Sequence, residues 1–249
     1  MPADGYMTGK ILIASPAIGD PRFDRAVIYV VDHSDEHAMG ITLNKPMRDL
    51  RLPILLEQLG VENAIRVPDR AVLDGGPVDR DRGFVLHTGE FGNDDATLVV
   101  GDGYALTATK EVLDAMASEH PPRRSVLALG YAGWGAGQLD DELQANLAVY
   151  AENRRLMLDG LPKAGFDRIA PPDGAFYVYA DVSHITDDSL SFCREILDEA
   201  GVAVTPGLDF DPVRGGGTLR FSYARSTADI REGLERLARF MARRGLAAG

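Results

Sequence analysis

Gly130 to Gly160 reads GYAGWGAGQLDDELQANLAVYAENRRLMLDG, and it divides the chain into two grammars. Up to Gly137, short apolar runs alternate with clusters of Gly, Pro and Asp. Beyond it, Leu139, Leu143, Leu147, Tyr150, Arg154 and Leu158 recur at helical spacing and predict one long amphipathic helix ending at Gly160. The glycines of GYAGWGAG have neither GxGxxG spacing nor a GK[ST] ending. They read as small residues packing around Trp134, not as a phosphate cradle.

Towards the N-terminus the chain reads as strands. Ile11 to Ile18 is one, broken by Pro16, and Ala26 to Val31 (AVIYVV) has the continuous apolar character of a strand buried on both faces. Met39–Leu43, Ala71–Leu73, Phe84–Leu86, Thr97–Val100 and Val126–Leu129 are shorter runs of that kind. Helices are expected around Ile54–Leu59 and around Glu111–Ser118, the latter stopping before Pro121-Pro122. Towards the C-terminus, strands are expected at Ala175–Tyr179, Val202–Val204 and Thr218–Tyr223. A helix from Ser189 to Ala200 is led by Asp187-Asp188 and closed by Gly201. The last helix opens at Ser226 with Asp229 three residues on, and closes at Gly245.

The chain has 249 residues, 45% hydrophobic and 26% charged, enough for one large domain or two modest ones. Its net charge is −12, of which residues 1–145 carry −10 (13 Lys and Arg against 23 Asp and Glu). That acidity argues against direct nucleic-acid contact, which needs a basic face. A single cysteine, Cys193, excludes an internal disulfide and a multi-cysteine metal site, and it reads as a buried thiol on an apolar helix face. No apolar run reaches the length of a membrane span, and a reducing, cytoplasmic setting is expected.

Four blocks carry a resemblance: ASPAIGDPRFDRAV (Ala14–Val27), MGITLNKP (Met39–Pro46), GGPVDRDRGFVLHT (Gly75–Thr88) and GYAGWGAGQLDDEL (Gly130–Leu143). In their order and spacing they resemble the AlgH/YqgE family of bacterial proteins over residues 1–146. That resemblance implies a bifurcated sheet folded into a pseudo-barrel, and a link by name to regulation of alginate synthesis. The strand and helix with which such chains continue do not follow here.

The remainder, 147–249, resembles the C-terminal small domain of class I/II aminotransferases, the pyridoxal-phosphate enzymes of fold type I. YAENRRLMLDGLPKAGF (Tyr150–Phe166), PPDGAFYVYADVS (Pro171–Ser183), GVAVTPGLDF (Gly201–Phe210) and GTLRFSYA (Gly217–Ala224) carry it. The resemblance places Arg220 on the substrate α-carboxylate, where a planar guanidinium pairs with two oxygens. It also implies a homodimer and a pyridoxal phosphate cofactor held by a lysine. The large domain that would supply that lysine is not in the sequence; the four lysines are Lys10, Lys45, Lys110 and Lys163, none in that context. Arg220 is then vestigial, no catalytic, cofactor or metal residue is expected, and the rival reading is an aminotransferase whose large domain comes from another chain. The junction falls near Glu142–Leu147, inside a helix and without a linker, the look of two incomplete genes joined at a short shared stretch.

The expected fold is therefore α+β: an AlgH-like pseudo-barrel mixed sheet, then an α/β aminotransferase small domain, joined through one long helix. In the first part Asp74, Asp79, Arg80, Asp81, Arg82 and His87 crowd one motif, but read as a solvated loop leading into a strand. His33 and His37 are four apart across an apparent turn, and Asn44-Lys45-Pro46 reads as a surface turn. Pro206-Gly207 and Gly215-Gly216-Gly217 read as turns as well.

Overall fold

A computed structural model describes residues 6–16, 18–92, 96–101 and 103–246. They form two compact units, Met1–Ala14 with Ile18–Glu142, and Leu143–Gly249 with Ser15–Ala17. The division falls between Glu142 and Leu143, at the start of the Glu142–Leu147 stretch.

The N-terminal unit runs β1 (Ile11–Ile13), β2 (Val27–His33), β3 (His37–Thr42), β4 (Pro46–Arg51), α1 (Leu52–Gln58), β5 (Ala71–Asp74), β6 (Val78–Thr88), β7 (Thr97–Gly101), β8 (Tyr104–Thr107), α2 (Lys110–Met116) and β9 (Ser125–Gly135). Nine strands make one curled sheet, ordered β1-β2-β3-β9-β6-β8-β7 with β4 and β5 off that path. Every pairing is antiparallel except β5 with β9. The sheet forks at β9: Leu73 and Asp74 of β5 pair with Ala128 and Leu129, while β3 takes over from Ala132 to Gly135.

The fork needs Gly130. Its φ is +71°, and a Cβ there would stand 2.5 Å from Gly76 O and 2.8 Å from Val78 O. Opposite it, residues 79–82 of β6 bulge, since Val78 pairs with Tyr131 and the next pair is Gly83 with Leu129. The Asp-Arg-Asp-Arg segment therefore lies inside a strand, not in a loop before one; its four charges hid the strand because a bulge faces them to solvent. Period-2 alternation then separates two cores. Val85 and Leu127 pack with Leu52 and Leu56 of α1 and Val112 and Met116 of α2. Phe84 and Leu86 face the other way, with Tyr29, Val31, Ile41 and Leu106.

The C-terminal unit comprises most of α3 (Gln138–Lys163), then β10 (Ile169–Ala170), β11 (Tyr177–Asp181), α4 (Ser189–Ala200), β12 (Thr205–Pro206), β13 (Thr218–Ser222) and α5 (Thr227–Arg243). Its antiparallel sheet is ordered β10-β11-β13-β12. Val178 and Ala180 of β11 and Leu219 and Phe221 of β13 face a core completed by Met157 and Leu161 of α3, Phe192 and Ile196 of α4, and Leu237, Phe240 and Met241 of α5. Asp188 caps α4 by accepting the Ser191 amide, Gly201 closes it at φ +65°, and Ser226 Oγ caps α5 by accepting the Asp229 amide.

Two expectations need correction. The long helix does not stop at Gly160 but runs to Lys163, because Leu161 is fully buried and Gly160 lets Leu234 of α5 approach closely. Its buried face in this unit is Asn153, Met157 and Leu161, while Leu147 is 60% exposed. Only the C-terminal half of the helix joins a core, so the buried stripe does not run its whole length. Val202–Val204 is not a strand either; the chain joins the sheet only at Thr205 and Pro206, opposite Arg220 and Leu219. Pro206 is thus in β12, and Gly207 and Gly215 each begin a 3-10 turn. β4, β8 and β10 had no expected counterpart, β4 arising where Asn44-Lys45-Pro46 read as a turn.

Candidate functional site

The alternation that buries Leu219 and Phe221 turns Arg220 to the other face of the small sheet, opposite Tyr179 of β11 and Thr205 of β12. The Arg220 guanidinium carbon lies 4.1 Å from the centre of the Phe210 ring and 5.1 Å from that of Tyr177. Tyr179 stands edge-on to both rings, at 5.7 Å from Tyr177 and 6.2 Å from Phe210. Burial pushes the Tyr179 phenol above its ordinary pKa, against the opposing pull of Arg220. Arg220 Nε is buried with no hydrogen-bond partner among the described residues. Cation–π contact with two rings holds the guanidinium in place, and its buried Nε is left without an acceptor among the described residues.

The resemblance singles out Arg220 and assigns Tyr177 and Tyr179 no role, although their alternation in FYVYAD was readable. Phe210 was not, since only the loop from Gly207 places it over the strand.

Pyridoxal phosphate does not fit the residues present. Lys163 is exposed at the end of α3, and Lys10 is exposed too. Lys45 Nζ donates to Arg22 O at 2.7 Å, and Lys110 Nζ to Gly60 O at 3.4 Å. Cys193 is buried, and burial pushes its thiol up to about 11, so no nucleophile is poised there.

In the N-terminal unit the family-like blocks do converge, but their polar groups hold one another. Asn44 Oδ1 accepts the Val27 amide and its Nδ2 donates to Arg25 O, while Arg22 pairs with Asp20 at 2.7 Å. Asp74 pairs with Arg80 at 3.0 Å. His87 is buried and satisfied: Nδ1 lies 3.0 Å from Thr88 O and Nε2 2.9 Å from Thr107 Oγ1. His33 and His37 do not converge. His37 meets Asp32 at 2.9 Å, and His33 meets Asp140 at 3.4 Å while accepting the Met7 amide on Nδ1. Among the described residues no group of three His, Cys, Asp or Glu could hold a metal. Among the same residues no helix is long and apolar enough to cross a membrane.

A forked, curled sheet with two short helices on one face defines the class of the N-terminal unit. The family model of AlgH-like proteins (DUF179) matches residues 11–170, and the chain belongs to that family. The match runs past the boundary near 146 expected from the motifs and ends at β10. A UPF0301 protein of Caulobacter vibrioides is 52% identical over 143 residues, covering 57% of this chain and 73% of that protein. Another, of a Methylobacterium species, is 53% identical over 151 residues, covering 58% and 72%. Among solved structures, the AlgH protein of Pseudomonas aeruginosa is 38% identical with a TM-score of 0.49, covering 59% of this chain and 77% of that one. A putative aminotransferase of Silicibacter pomeroyi is 52% identical with a TM-score of 0.42, covering 59% of this chain and 40% of that one.

Proposed function

We propose that this AlgH-like chain is a binding protein with a regulatory role, which takes a small carboxylate on the sheet of its C-terminal unit and does not transaminate by itself. Residues 1–146 act as the AlgH-like domain and 147–249 as an aminotransferase small domain without its large partner. The observation that supports this reading is Arg220: a guanidinium in contact with two aromatic rings, its buried Nε unpaired among the described residues. Such a group is matched in charge and shape to a carboxylate and lacks what amino transfer needs.

Calorimetric titration with 2-oxoglutarate and pyruvate tests it. Binding is expected to vanish in Arg220→Met and to weaken about tenfold in Arg220→Lys, because a point ammonium cannot replace the planar fork. Incubation with pyridoxal phosphate and an amino donor is expected to leave the donor unconsumed, with borohydride trapping only non-specific aldimines on exposed lysines such as Lys10 and Lys163. Unchanged affinity in Arg220→Met would refute the carboxylate site. Turnover with a lysine trapped on the coenzyme would refute the non-enzymatic reading and favour an aminotransferase.

A further inference from the structure

A cavity of about 260 Å³ lies within the N-terminal unit, lined from several strands of the curl. Its floor is apolar: Phe84 of β6 and Leu106 of β8 are buried, and Met39 of β3 and Leu98 of β7 are partly exposed beside them. Its polar groups are few and of opposite sign. Asp79 and Arg82 stand at the two ends of the β6 bulge, and Tyr131 of β9 lies edge-on to Phe84 at 5.6 Å. Arg82 is stacked over Phe84, 5.2 Å from the ring centre.

In the same motif Asp74 pairs with Arg80 at 3.0 Å. Asp79, Arg82 and the Tyr131 hydroxyl form no hydrogen bond or ion pair among the described residues, and Asp79 and Arg82 do not pair with each other. Asp79 is moreover held at φ +48°, a conformation that aims its side chain at a backbone cost. An apolar floor with one free cation and one free anion at its rim is complementary to a small molecule bearing both charges next to an apolar body.

We propose that this cavity binds an α-amino acid with an apolar side chain, the carboxylate on Arg82, the ammonium on Asp79, and the side chain on Phe84, Leu98 and Leu106. A volume just under the roughly 300–1,000 Å³ of drug-sized sites suits a ligand of that size. The proposal rests on residues separate from Arg220 and stands or falls independently of the carboxylate site.

The test uses the full chain carrying Arg220→Met, so that the C-terminal unit contributes no binding. L-phenylalanine is titrated while the methyl resonances of Met39, Leu98 and Leu106 are followed. A saturable shift of these methyls is expected. Arg82→Met and Asp79→Asn should each weaken it at least about tenfold, and Asn keeps the tolerance of a positive φ that other residues lack. 3-Phenylpropanoate and phenethylamine, which each lack one charge, should bind about tenfold more weakly than the amino acid, about 1.4 kcal/mol. No saturable shift at about 10 mM ligand overturns the proposal. So does affinity unchanged in both variants, or 3-phenylpropanoate binding as tightly as phenylalanine. Unaltered methyl spectra of the free variants show that they fold.

Discussion

Asn153→Leu should destabilise the C-terminal unit by about 2–4 kcal/mol. Asn153 is fully buried in α3, and its Nδ2 donates to two carbonyls, Tyr223 O at 3.0 Å and Arg225 O at 2.8 Å. It thereby ties the end of β13 to the helix three residues beyond Arg220. Leucine has similar volume but no donor, so both carbonyls lose their partner. Each buried group left unsatisfied costs about 1–3 kcal/mol. Part of that is returned, because Asn153 Oδ1 is itself buried without a partner and leucine removes it. Asn153→Asp keeps the acceptors, adds a charge and still lacks the donor, so it should cost more than leucine. Urea unfolding followed by far-UV circular dichroism measures the loss, and in a unit of this size each kcal/mol lowers Tm by about 4–8 °C. A cost below about 1 kcal/mol for leucine, or an aspartate variant as stable as the native chain, would refute the claim that the two donated bonds hold this strand end.

Gly130→Ala should be at least as damaging in the N-terminal unit. Left-handed backbone costs an L-residue about 1–2 kcal/mol, and the new methyl would meet Gly76 O at 2.5 Å; the fluorescence of Trp134, on the same strand, reports the unfolding midpoint in urea. Glu90 accepts Thr88 Oγ1 and the Arg123 amide, each at 2.6 Å, and these bonds hold its pKa at about 2 instead of 4.5. Because the folded value is depressed, its contribution is full above the unfolded pKa and fades as pH falls from about 4.5 towards 2. Glu90→Gln should therefore lower Tm at pH 7 but flatten its fall between pH 5 and about 2.5, and equal slopes for both proteins would contradict this.

Much of the fold was legible because it depends on local chemistry. The α4 boundaries and both helix caps followed from Asp188, Gly201 and Ser226, whose side chains or backbone act within three or four residues. The strands expected at Ala26–Val31 and Thr218–Tyr223 lie at Val27–His33 and Thr218–Ser222, legible because burial on one or both faces leaves a clear pattern. What escaped was decided at long range. β4 forms only by pairing Pro46 with Leu73 and Arg51 with Ala71, across a bulge that erases alternation. β8 is four residues long and has little room for a period. On the small sheet Arg220 carried a motif signal, whereas Phe210 gains its position beside it from a loop. The cavity lined by Met39, Phe84, Leu98 and Leu106 draws on β3, β6 and the β7–β8 hairpin, segments separated by some forty or fewer residues of chain from one to the next, and none of those residues differs in type from ordinary core.

The fork at β9 also sets the order of events during synthesis. Ser125–Gly135 is the last strand of its unit to be made, yet β3, β5 and β6 all hydrogen-bond to it. Those earlier strands leave the ribosome with an edge unfilled and must wait, apolar and exposed, for a segment up to about 95 residues downstream. Nascent chains halted just before Ser125 are then the ones most in need of a chaperone, and translation through Gly135 is what releases them.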